Sequence, residues 1–237
     1  MSIFIDRIHR LPRVWSNQQL RKFAKLFSGD IVNVSAWQDG DKEGRTYKEY
    51  FTKANTYTKT NWKSEARGHQ GGKDEIFLDL ECELSNELVG RFDVVFNHTT
   101  LEHIYDVTTA FSNLCSMSKD VLIVCVPFLQ QYHGGYGDYW RFTPLLVKRL
   151  FEDNGMELAY LSFNNHPGSS VYIFAIGIKN KEKWKGVFDY TFSSEDPTSR
   201  RSEPYIGSTA LSNLAYRLLV RVGRFVKAIL PGSGKIG

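Results

Sequence analysis

Residues 121–129 read VLIVCVPFL, nine positions without a charge and apolar on both sides of any strand they form. A strand with one wet face alternates apolar and polar residues. One that does not alternate must be covered on both faces, as a central strand of a mainly parallel sheet is by helices. The run is also only about half the length of a membrane span, and Pro127 interrupts it. A layered α/β sheet is what remains.

The flanking chain supplies the rest of such a sheet. Residues 17–27 place Leu20, Phe23, Ala24, Leu26 and Phe27 among basic residues, the spacing of an amphipathic helix. Strands are predicted at 30–34 (DIVNV), 56–62 (TYTKTNW), 74–80 (DEIFLDL) and 92–97 (FDVVFN), with 120–128 as the fifth. Helices are predicted at 105–116 and at 144–154. The second has Thr143 as cap, Pro144 in first position and Gly155 as its stop. Residues 156–163 and 169–179, joined by a short NNHPG loop, read as an antiparallel pair. The fold expected is α/β: a doubly wound, Rossmann-like, mostly parallel sheet with a terminal antiparallel hairpin.

The 237 residues divide into a helical segment at 1–28, the α/β domain at 29–180, a charged polar linker at 181–207 and a basic amphipathic helix with its tail at 208–237. A 42% hydrophobic content excludes global disorder. The net charge of +4 is mild and no nucleic-acid-reading motif is present, so no nucleic-acid partner is expected. Cys82, Cys115 and Cys125 are scattered, without a CxxC pair, which suits a reducing compartment. The opening MSIFIDRIHRLPRVW lacks a signal-peptide core. The expected location is cytoplasmic, or peripheral to the inner face of a membrane. In the last helix Arg217, Arg221, Arg224 and Lys227 gather opposite Leu211, Leu214, Leu218, Val222 and Phe225. That is the makeup of an anchor on an anionic membrane surface, or of a helix docked on its own domain or on a protein partner.

Two stretches go beyond fold class. FDVVFNHTTLEHIYD is a buried strand, a polar corner and Leu-Glu-His, and YWRFTPLLVKRLFEDNGMEL follows HGGYGD. In this order, separated by VLIVCVPF, they resemble class I S-adenosylmethionine-dependent methyltransferases. The likeness is to type 11-like members and the branch found in surface-polysaccharide clusters, with a degenerate first glycine motif. The resemblance implies S-adenosylmethionine as cofactor and a sugar, glycan or related small molecule as acceptor. The alternative is a non-catalytic methyltransferase-like protein that binds or scaffolds.

The resemblance also places the cofactor. Its sites fall at the ends of the first four strands, around the crevice where strand order reverses. Asn33, Ser35, Ala36 and Trp37 stand where the family has an acid and glycines. Asn61 stands where the family has an acid for the ribose hydroxyls. Asp79, with Leu80, fits the adenine contact, and Asn97 lies beneath the methyl-bearing sulfur. Methyl transfer to a hydroxyl needs alignment and a base, and histidine is the base suited to neutral pH. His133, in the glycine-loosened QQYHGGYGDYWR loop, is the first candidate, with His98 and His103 after it. Glu102 is expected to serve the start of the helix that follows. Asp138, Tyr139 and Arg141 could line an acceptor pocket, with Arg141 pairing to a carboxylate or phosphate. Equally, Arg141 could bridge to Asp138. The spacing of His98, Glu102, His103 and His133 matches no metal template, so no metal is expected.

Overall fold

The computed structural model describes residues 5–63, 68–164 and 166–188, and beyond them residues 206, 207, 210, 218 and 222. Seven strands form one sheet: β1 (Ser28–Val34), β2 (Lys53–Asn61), β3 (Glu75–Phe77), β4 (Phe92–His98), β5 (Ser118–Leu129), β6 (Glu157–Phe163) and β7 (Val171–Ile178). Their order is β3-β2-β1-β4-β5-β7-β6. β1 to β5 pair in parallel, and β7 runs antiparallel to both β5 and β6. The expected sheet and its closing hairpin are therefore present. The chain steps outward from β1 through β2 to β3, then returns to β4 on the other side of β1. That reversal opens a crevice at the carboxyl ends of β1 and β4.

Three helices cover the sheet: α1 (Arg10–Ala24), α2 (Val107–Met117) and α3 (Pro144–Asp153). α2 and α3 pack on one face against Val95, Leu122, Val124 and Val126. α1 packs on the other through Trp15, Leu20 and Phe23, against Phe96, Ile123 and Phe174. β5 feeds both cores with alternate residues, which is why its sequence lacks a polar face. Cys125 is one of these buried residues.

Local chemistry sets the ends. α1 begins seven residues before the predicted start, because Pro12 falls in the first turn, where a missing N–H is harmless, and Leu11 and Trp15 extend the buried face. Thr143 caps α3 by accepting from the Leu146 N–H, with Pro144 in first position. β3 is shorter than predicted, since Phe77 is exposed and the chain turns at Asp79, whose carboxylate accepts from the Glu81 N–H. Between β1 and β4, among the described residues, the only helical turn is a 3-10 turn at Tyr47–Tyr50.

Residues 210, 218 and 222 are helical, with Leu218 and Val222 more than half exposed. The remainder of the predicted C-terminal helix, with Arg217, Arg221, Arg224 and Lys227, lies outside the described residues, as does the linker from 189 to 205. Among the described residues no helix is long and apolar enough to cross a membrane.

Candidate functional site at the carboxyl edge of the sheet

After β1 the chain turns through Ser35 (φ 59°), Trp37 (φ 49°) and Asp39 (φ 62°). These left-handed conformations are the ones glycine adopts freely and L-residues adopt at a cost. The turn therefore keeps glycine-like backbone without glycine. Hydrogen bonds hold it there. Ser35 N–H donates to Thr60 Oγ1, Ala36 N–H to the Thr60 carbonyl, and Trp37 N–H to Asn61 Oδ1 at 2.6 Å. Asn61 Nδ2 donates back to the Trp37 carbonyl and to Glu75 Oε1. Its amide is thus committed to the corner and is not free for a ribose hydroxyl. Asn33 is committed too, its Nδ2 donating to Asp39 Oδ1 at 2.7 Å.

Asp39 and Asp41 were not singled out in the sequence, where DGDKEG looks like a solvated loop, yet both are buried. Asp39 accepts from Asn33, Tyr57 and the Lys48 N–H. Asp41 accepts from Tyr50 and the Glu43 and Arg45 N–H groups. These two carboxylates organise the loop between β1 and β2.

Across the crevice, Asn97 is fully buried, with Nδ2 on the Val34 carbonyl at 3.1 Å. Its Oδ1 has no partner among the described residues. A buried acceptor left open at the switch point fits a ligand donor, since an unmet buried polar atom costs about 1–3 kcal/mol. Asp79, just after β3, is half-buried, and the Leu80 carbonyl accepts from Asn113. Asn33 and Asn61 thus hold the corner that Ser35 and Ala36 form, while Asn97 keeps one buried acceptor open.

His98 closes β4 with both ring nitrogens engaged. Ser16 Oγ donates to the Arg13 carbonyl, so it accepts from His98 Nε2–H at 2.7 Å, and His98 Nδ1 accepts from Thr99 Oγ1 at 3.0 Å. Burial, then the nearby Arg13 charge, hold this imidazole well below its ordinary pKa, so it stays neutral. With no free lone pair it is not placed to act as a base. Arg13 itself, missed in the sequence, reaches from α1 to Tyr47 and Thr99.

Glu102, His103 and His133 meet on the same edge, in the loops after β4 and β5. Glu102 lies in a 3-10 turn (Leu101–His103), not at the start of α2, which Asp106 caps instead. Its side chain is 1% exposed, and burial raises its pKa to about 8. Oε2 has no partner among the described residues. His103 Nδ1 donates to the Gly137 carbonyl at 2.5 Å, which turns Nε2 toward Glu102 Oε1, 3.8 Å away. Gly137 has φ 90°, and a Cβ there would meet the Tyr139 ring at 2.6 Å. The His133 ring lies 5.0 Å from that of His103, with its Nδ1 3.3 Å from Asp138 Oδ2 but not aligned for a hydrogen bond.

Arg141 makes the structural bridge rather than a free cation. Its five N–H groups go to both Asp138 oxygens and to the carbonyls of Gln130, Gln131 and Trp140. Those Arg141 bonds, outweighing burial, hold Asp138 at a pKa of about 2. Tyr139 is 54% exposed and stacks edge-on with exposed Tyr105, while Tyr132 and Tyr136 are also exposed nearby. A groove of about 570 Å³ runs along the part of β2 that β3 leaves unpaired; it touches Lys48, Tyr57 and Glu75 but not Asn97 or the Glu102, His103 and His133 group.

No protein-family model and no curated protein matches the sequence. Solved structures do share its fold. A candidate methyltransferase from Bacillus halodurans C-125 is 11% identical over 68% of this chain and 97% of its own, with a TM-score of 0.51. The magnesium protoporphyrin IX methyltransferase of Synechocystis PCC 6803, with bound SAM, is 13% identical over 76% and 86%, at 0.50. The trans-methyltransferase CalH, in complex with SAH, is 14% identical over 70% of this chain and 57% of that one, at 0.50. At such identities the likeness is one of architecture: the chain has the Rossmann-like class I methyltransferase fold.

Proposed function

We propose that the protein is an S-adenosylmethionine-dependent methyltransferase acting on a sugar, glycan or related small-molecule acceptor. The observation that carries the reading is one edge of the sheet holding two things together. A switch-point corner with an open buried acceptor, Asn97 Oδ1, adjoins loops that bring a histidine pair and exposed tyrosines. The cofactor would supply a methyl group on a sulfonium. The chain would hold it through the Ser35–Ala36 corner, Asp79 and Asn97. Exposed Tyr105, Tyr132 and Tyr139 offer faces with apolar bodies and polar tips, a surface suited to sugar rings. His133, with His103 beside it, would take the acceptor's proton, because His98 has no free nitrogen. A peripheral position at an anionic membrane, through the C-terminal helix, belongs to the same reading and would place the enzyme near lipid-linked glycans.

Calorimetry with S-adenosylhomocysteine on the full chain tests it. Saturable one-to-one binding is expected, weakened roughly 5- to 150-fold by Asp79→Ala, the loss of one hydrogen bond in a ligand site. His133→Ala should leave that affinity intact and lower turnover about 100- to 10,000-fold. A second reading, a non-catalytic methyltransferase-like binding protein, is favoured by one observation: the Asn61 amide is spent on Trp37 and Glu75. No binding at millimolar ligand would select it.

A further inference from the structure

We propose that Glu102, His103 and His133 form a binding site for one divalent first-row transition ion, of which Zn²⁺ is the type. One ligand atom from each lies within 4.8 Å of the other two. A tetrahedral ion at bond lengths of about 2.0–2.1 Å separates its ligands by about 3.4 Å. The set therefore has to contract by little more than an ångström. Glu102 and His103 share one short turn, and His133 sits in a loop loosened by Gly134, Gly135 and Gly137, which can make that adjustment.

Three further features belong to a metal site rather than to a chance cluster. Glu102 is 1% exposed and keeps Oε2 unpartnered among the described residues, an expensive arrangement for a carboxylate without a cation. His103 gives Nδ1–H to a backbone carbonyl, the outer bond that fixes a ligating imidazole with Nε2 as its lone pair. Asp138 Oδ2 lies 3.3 Å from His133 Nδ1 without being aligned for a hydrogen bond, so a turn of the ring would make the same kind of outer bond. Two cations act on Glu102: Arg141 is paired with Asp138 through both oxygens, and Arg13 donates to Tyr47 and Thr99. Two nitrogens and one oxygen select a borderline ion over Mg²⁺ or Ca²⁺, which take oxygen shells. Three protein ligands leave at least one position for water or an acceptor oxygen. With the ion bound, His133 has no lone pair for the acceptor's proton, so the base role proposed above belongs to the ion-free protein; binding of the ion does not rest on that function.

The test is direct. The full chain, stripped with a chelator, is titrated with Zn²⁺ against a chromophoric chelator, and Co²⁺ is read by its d–d absorption. One equivalent per chain is expected, with a Co²⁺ spectrum of four or five ligands including imidazole. Glu102→Gln and His103→Gln should each weaken Zn²⁺ at least about a hundredfold while circular dichroism and melting show folded protein. Wild type that binds no better than the Glu102→Gln/His103→Gln double variant would overturn the site. So would stoichiometric binding that survives both substitutions. S-adenosylhomocysteine affinity, measured on the same samples, reports separately on the methyltransferase reading.

Discussion

Trp37 holds a left-handed backbone conformation (φ 49°) that costs an L-residue about 1–2 kcal/mol, and its side chain belongs to neither core. Trp37→Gly relieves that strain while adding some freedom to the unfolded chain. Because the ring is only half-buried, stability read by urea unfolding should fall by less than the deletion of a buried tryptophan costs. A loss of about 3–5 kcal/mol, the cost of deleting a buried tryptophan, would place the ring in the interior instead. The missing glycines were legible, since Ser-Ala-Trp stands where they belong. That the turn keeps glycine's geometry was not, because Thr60 and Asn61, some 25 residues away, impose it. Asn33 and Asn61 looked like weakened ligand contacts for the same reason. A side-chain amide in sequence does not disclose which of its neighbours has already claimed it.

Among the elements, the loop between β5 and α3 depends on Arg141. Four of its five hydrogen bonds reach outside the adjacent residue, and Asp138 beneath it is 1% exposed. Arg141→Lys keeps the charge but not the planar fork, so most of these bonds cannot re-form. The variant should lose about 2–3 kcal/mol, near the lower end for breaking a buried pair. A lower melting temperature with faster proteolysis between 130 and 143 would show it, and unchanged values would deny the clamp. Helix α3 nearby was readable to within a residue, because its cap, its proline and Gly155 are all local signals. The clamp was readable only as one of two options, since carbonyl partners leave no trace in residue type. That the described residues between β1 and β4 hold no α-helix had no clear signal either. Polar, glycine-bearing stretches there are organised by Asp39 and Asp41 from within.

For the molecule as a whole, acid should be felt first at the interface of α1 with the sheet. His98 is buried there, facing Arg13 from α1, Tyr47 from the 3-10 turn and Tyr172 from β7. Its folded pKa lies well below the ordinary 6.5, so the unfolded chain binds the extra proton and folding stability falls as pH drops below about 6.5. Glu102, raised to about 8, acts in the opposite sense over this range, so the measure is a difference: by urea unfolding at pH 7.5, 6.5 and 5.5, wild type should lose stability relative to His98→Asn as pH falls. Equal slopes would exclude His98 as its source. Glu75, held at about 2 against burial by Asn61 and the Gly72 and Gln70 N–H groups, adds a second loss as pH falls from about 4.5 toward 2. The mostly parallel sheet and its closing hairpin were legible from strand patterns, but the strand order was not. One feature with consequences in time is that β7, the last strand among the described residues, lies inside the sheet between β5 and β6. While a ribosome adds the roughly fifty residues from the end of β5 to the end of β7, about 3–10 s at ordinary synthesis rates, β5 has a bare edge. That edge carries the uncharged run 121–129, and β6 waits with no neighbour to pair with. A nascent chain stalled before residue 171 is therefore expected to expose this edge and to be captured by chaperones more than the complete chain, which pull-down of the two would check.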